Sequence, residues 1–106
     1  MAKYLYRLNY TEAGLKGTVK EGFAAREAFF HKTVKAMGGT TESAHWAFGD
    51  VDIFILVDMP DQAKATGLSL ALALTGAFEL TTTALLSAAE MDAGVRAMPS
   101  YRAPGT

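Results

Sequence analysis

The chain has 106 residues, half of them hydrophobic and a fifth charged. Ten Lys and Arg stand against eleven Asp and Glu, for a formal net charge of -1, and there is no Cys. This balance supplies no basic stripe for nucleic acid. The missing Cys excludes disulfides, thiolate metal sites and Cys nucleophiles.

The length fits one domain, expected over residues 1–98 with a tail over 99–106. A chain this size buries roughly 65% of its unfolded surface. So high an apolar fraction in so small a domain points to homo-oligomerisation. No signal-peptide pattern opens the sequence. The longest apolar run, around Leu68 to Leu74, falls far short of the ~20 residues that cross a bilayer. The expectation is a cytoplasmic protein with no membrane and no nucleic-acid partner.

Tyr4 to Tyr10 reads as the first strand. Its two-residue period puts Tyr4, Tyr6, Leu8 and Tyr10 on one face. Thr11-Glu12-Ala13-Gly14 reads as its break, and Leu15 to Glu21 as a loop or extra turn. A helix follows over about Gly22 to Met37, with Phe23, Phe30, Val34 and Met37 on one stripe. Gly38-Gly39 ends it.

Two strands, about Thr40 to Phe48 and Val51 to Asp58, flank a tight turn at Gly49-Asp50. A two-residue turn pairs Ala47 with Asp52 and Phe48 with Val51. One face then holds Ala44, Trp46, Phe48, Val51, Ile53 and Ile55, all apolar. The other holds Ser43, His45, Ala47, Asp52, Phe54 and Leu56. A face mixed in this way calls for a cover.

Asp61 caps a second helix that runs to about Thr75, with Gly76 as its stop. Leu68 and Leu72 form one stripe, and Leu70 and Leu74 another on nearly the opposite side. The second stripe needs its own partner. Phe78 to Leu86 is the last strand, carried by Thr81-Thr82-Thr83. Ala88 to Met98 can form a short helix.

The order β-α-β-β-α-β predicts an α+β fold of ferredoxin-like type. Two right-handed crossovers place two helices on one face of a four-stranded antiparallel sheet. The open face then suits a dimer that stacks two sheets.

With these elements in place, the chain resembles the GYD-domain family, small proteins of the dimeric α/β-barrel group with no settled activity. The resemblance rests on Asn9-Tyr10-Thr11 with Gly14, on Gly38-Gly39 and on Trp46-Ala47-Phe48-Gly49. It continues through Asp52, Pro60-Asp61, the Leu/Ala-rich helix, the Thr-rich strand and Tyr101-Arg102-Ala103-Pro104-Gly105. The namesake Gly-x-Tyr-Asp reads Gly49-Asp50-Val51-Asp52 here, so Val51 stands where the family has tyrosine. The resemblance implies fold and dimerisation rather than chemistry.

Five residues are candidates for a ligand site: Arg7, Asn9, His45, Asp52 and Phe54. His45 and Asp52 can serve as acid and base on one face. Equally, His45 can be a packing group and Asp52 an acceptor beside the turn. Arg7 can hold a carboxylate or phosphate, or pair with an acid. Tyr4, Tyr6, Tyr10 and Trp46 can line a pocket or form core. Glu27 and His31 have metal-like spacing but no third ligand. No metal or cofactor is expected.

Three functions follow from this pattern. The first is a homo-oligomeric module that binds a small molecule between paired sheets. The second is a cofactor-free enzyme, of monooxygenase or isomerase type, using His45 and Asp52. The third is a purely structural assembly protein.

Overall fold

A computed structural model describes residues 2–106. The elements are β1 (Ala2–Tyr10), α1 (Glu12–Glu21), α2 (Phe23–Ala36), β2 (Thr40–Trp46), β3 (Ile53–Met59), α3 (Gln62–Leu74), β4 (Phe78–Leu85) and α4 (Ala88–Arg96). The α+β expectation holds, with one antiparallel sheet in the order β2-β3-β1-β4. Residues 97–106 carry no helix or strand and are exposed.

Alternation along the two central strands builds the core. Tyr4, Tyr6 and Leu8 pair with Val57, Ile55 and Ile53, and all six are buried. Val34 of α2 and Ala65 and Leu68 of α3 close over them. Burying each of the larger side chains contributes roughly 1.5–3 kcal/mol. Phe30, Met37 and Leu72 extend the layer, as the helical spacing requires. Every fully buried strand residue lies on this one face.

Tyr6 links sheet to helix. It is fully buried, and its hydroxyl donates to the Ala65 carbonyl at 2.6 Å. Burial pushes that hydroxyl above its ordinary value of 10.0.

The stretch after β1 is a helix, and the expected break at Thr11 to Gly14 is corrected. Thr11 is an N-cap whose side chain accepts from the Gly14 N–H at 3.1 Å. A Lys16–Glu12 pair at 2.8 Å supports the first turn. Gly14 is there for close approach rather than for breaking. A Cβ at Gly14 would sit 2.0 Å from the Ala77 carbonyl oxygen. Thr11 ties the same spot from both sides, its N–H donating to Ala77 at 3.0 Å and its hydroxyl to Gly76 at 2.7 Å.

The β2–β3 register is as the sequence implies: Ala44, His45 and Trp46 pair with Ile55, Phe54 and Ile53. Ala47 N–H donates to the Asp52 carbonyl at 2.9 Å, which closes the hairpin. The ladder stops there, so Phe48 does not join the apolar face. It is fully exposed. A register shift between Thr41 and Ser43 leaves Glu42 bulged from β2. Gly38, at φ 85°, makes the left-handed exit from α2.

Asp52 and Asn9 clasp the ends of the two central strands. The Asp52 carboxylate accepts from the Tyr10 N–H at 2.9 Å. The Asp52 N–H lies 2.9 Å from the Asn9 side-chain oxygen and 3.2 Å from the Leu8 carbonyl. The clasp continues the β1–β3 ladder past its last paired residues.

Three outcomes follow. Gly14→Ala is expected to cost at least ~2 kcal/mol by urea unfolding, because backbone must move. Asp52→Ala is expected to cost about 1–3 kcal/mol while Asp52→Asn, which keeps an acceptor, costs less; equal losses would show that the Tyr10 bond is not what Asp52 supplies. The third concerns alkali. The folded state holds the Tyr6 proton more tightly than the unfolded chain, so its contribution is complete below about pH 10 and is lost as pH rises. Tyr6→Phe should lose about 1 kcal/mol at neutral pH and show a shallower alkaline decline in the same titration.

Candidate functional site

The face of the sheet away from α2 and α3 reads as three rows across β2, β3, β1 and β4. The first is His45–Phe54–Arg7–Thr81, the second Ser43–Leu56–Leu5–Thr83, and the third Thr40–Asp58–Lys3–Leu85. The register places the Arg7 side of β1 beside His45, and the Tyr6 side in the core.

Leu5, Phe54 and Leu56 are half-buried at the centre of this face, although no helix covers it. Polar groups surround them. Lys3 donates to Glu42 and Asp58, the latter at 3.2 Å. The Glu42 and Asp58 partners hold the Lys3 ammonium above its ordinary value, and hydrogen bonds with Glu42 and Lys3 hold the Asp58 carboxyl low. The bulge at Glu42 brings that carboxylate to Lys3 across the intervening strand.

Arg7 is exposed, and its Nε lies 3.3 Å from the Thr81 hydroxyl. It forms no ion pair with Asp52 or any other described acid. A hollow of about 240 Å³ opens beside it, between Asn9, Val51, Glu79 and Thr81. His45 is exposed on the far side of Phe54. The Arg7 and His45 backbones stand two strand spacings apart, about 10 Å. Phe54 lies between them. An apolar floor with a guanidinium on one side and an imidazole on the other suits an anion with an apolar or aromatic body.

The structure does not bring all five candidates together. Arg7, Phe54 and His45 share one row. Asn9 and Asp52 are the clasp described above, in which Asn9 Oδ1 and Asp52 Oδ2 each accept from a backbone N–H. Asp52 also lines a separate cleft, among Tyr10, Phe23, Trp46 and Phe48. Asp52 lines that cleft and His45 does not, and the two form no hydrogen bond or ion pair.

Of the aromatic candidates, Tyr4 and Tyr6 are core. Tyr10 and Trp46 are joined by an indole N–H donated to the Tyr10 hydroxyl at 3.0 Å. Glu27 and His31 sit one turn apart on α2 without a third ligand. Among the described residues no group of three His, Asp or Glu can hold a metal ion. No described helix is long and apolar enough to cross a membrane. Leu5, Lys3 and Glu42 are parts of the open face that the sequence pattern did not single out. Leu5 was legible from the two-residue period, while Glu42 depends on a bulge that no residue type announces.

The GYD-domain family profile matches residues 4–95, from β1 into α4. No curated protein matches the chain, and no solved structure does. The match spans most of the 106-residue chain, and the chain belongs to the GYD-domain family.

Proposed function

We propose that this protein is a homo-oligomeric binding module that holds a small acid with an apolar or aromatic body between paired open faces. The observation that carries the reading is the His45–Phe54–Arg7–Thr81 row beside the half-buried Leu5 and Leu56. Phe54 would take the apolar body by stacking. Arg7 would take the carboxylate, with His45 on the other side of the ring.

The strand order β2-β3-β1-β4, with α2 and α3 on one face, supports a ferredoxin-like reading and a dimeric α/β-barrel in which two open faces stack. Surface area supports assembly as well. The chain exposes 7343 Å², against about 5,700 Å² for a compact monomer of its mass. Its radius of gyration is 17.0 Å, against about 13 Å for a compact domain of this length. The excess traces to residues 86–106, all exposed, where Leu86, Met91, Val95, Met98 and Tyr101 have no cover. The surplus of about 1,600 Å² exceeds what one partner loses at a standard interface, about 800 Å².

Sedimentation and thermal shift with a panel of aromatic and aliphatic carboxylates test the reading. The wild type should sediment as a dimer or larger, and Leu56→Glu should shift it to monomer. At least one acid should raise the melting temperature, by mass action on the folded state, and Arg7→Ala should abolish that rise without changing the oligomer. A monomeric wild type at high micromolar concentration, or a ligand response indifferent to Arg7, overturns the proposal.

A further inference from the structure

A second concavity lies on the other side of the sheet, at the end where β1, β2 and β3 meet the start of α2. It has a volume of about 240 Å³ and is walled by Tyr10, Leu15, Phe23, Trp46 and Phe48, with Asp52 as its acid. This is below the roughly 300–1,000 Å³ of pockets for drug-sized ligands, so it suits a head group rather than a whole large molecule.

The rings are set at right angles. Tyr10 and Phe23 meet edge to face, with centroids 6.4 Å apart and planes at 87°. Phe23 and Trp46 do the same at 6.1 Å and 85°. The indole N–H is held by the Tyr10 hydroxyl, which fixes the Trp46 ring and spends its one donor. Phe23, Trp46 and Phe48 nevertheless remain exposed. Core aromatics would be covered, and these are not.

The charge of the cleft decides between occupants. Asp52 Oδ2 accepts from the Tyr10 N–H, but Oδ1 has no hydrogen bond among the described residues. No described Lys, Arg or His forms an ion pair with Asp52, and none lines the cleft. A half-buried carboxylate among four aromatic rings attracts a positive charge, and a ring face, the negative end of the aromatic quadrupole, adds to that attraction for a cation placed over it. An anion is repelled by the same walls, and a neutral apolar group leaves the carboxylate unanswered.

We infer that this cleft binds an organic cation, of quaternary or methylated ammonium type, with the cationic head against Trp46, Tyr10 and Phe23 and its charge facing Asp52. The site is distinct from the open-face row, and its occupant has the opposite charge.

Trp46 is the chain's one tryptophan, so its emission reports on the cleft directly. The probes are choline and 3,3-dimethylbutanol, the latter of the same shape without the charge. Choline should shift Trp46 emission saturably and bind at least ~5-fold more tightly than the neutral analogue. Asp52→Asn, which keeps the acceptor for Tyr10, should remove most of that preference. Phe23→Leu, which keeps apolar volume, should weaken choline at least ~3-fold. Arg7→Ala on the opposite face should change neither value. An unsaturable response, equal binding of the two probes, or indifference to both Asp52→Asn and Phe23→Leu overturns the assignment.

Discussion

Tyr6 is the contact on which the remaining structure depends. It sits in the central strand, pairs with Ile55 on one side and Thr82 on the other, and reaches the Ala65 carbonyl of α3 with its hydroxyl. With the Ser69–Thr82 hydroxyl contact at 2.7 Å, this bond ties α3 to the sheet. A phenol buried this deeply must have a partner for its oxygen, and a helix carbonyl can be that partner only where α3 packs closely. Ala65 is the small residue that permits the approach, and it is buried for that reason. Fixing the Tyr6 side of β1 against α3 commits Arg7 and Leu5 to the opposite face. The composition of the open face is a consequence of where Tyr6 points.

Much of this was legible from residue spacing, because alternation on a strand has only two outcomes. Tyr4, Tyr6 and Leu8 could not be split between faces, and Ala47 opposite Asp52 followed from the shortest turn that Gly49-Asp50 allows. Asp61 and the Leu68–Leu72 stripe located α3 within a residue or so. The failures have a common physical source. At Thr11 to Gly14 a helix begins with residues that read as a break: Thr11 is its N-cap, and Gly14 lies against the Ala77 carbonyl, some sixty residues downstream. The glycine is required by that distant carbonyl, and local propensity carries no trace of it. Phe48 was misplaced because a strand pattern does not record where the ladder ends.

The candidate site was legible in part. Arg7, Phe54 and His45 are each visible as polar or aromatic groups on alternating strands. Their union in one row needed the β1–β3 register, which is set by packing on the other face. Asp52 illustrates the converse case. It has the residue type and the location of a catalytic group, yet its carboxylate and amide are engaged with Tyr10, Leu8 and Asn9. Asp52 also lines the aromatic cleft, so a residue that serves the fold also gives that cleft its charge. The two concavities considered above differ in charge: Arg7 and Glu79 both line one, while Asp52 is the one charged residue lining the other. A near-neutral net charge conceals this division.

The sheet also couples segments far apart in the sequence. β1 pairs with β4 from Lys3–Leu85 to Tyr10–Phe78, so the strand at residues 3–10 is completed only by residues 78–85. During translation β1 can gain β3 as a neighbour, but its other edge stays unpaired until residue 85 has left the ribosome. Contacts this distant in sequence slow folding, and an unpaired central strand bearing Tyr4, Tyr6 and Leu8 is prone to misassociation in the interval.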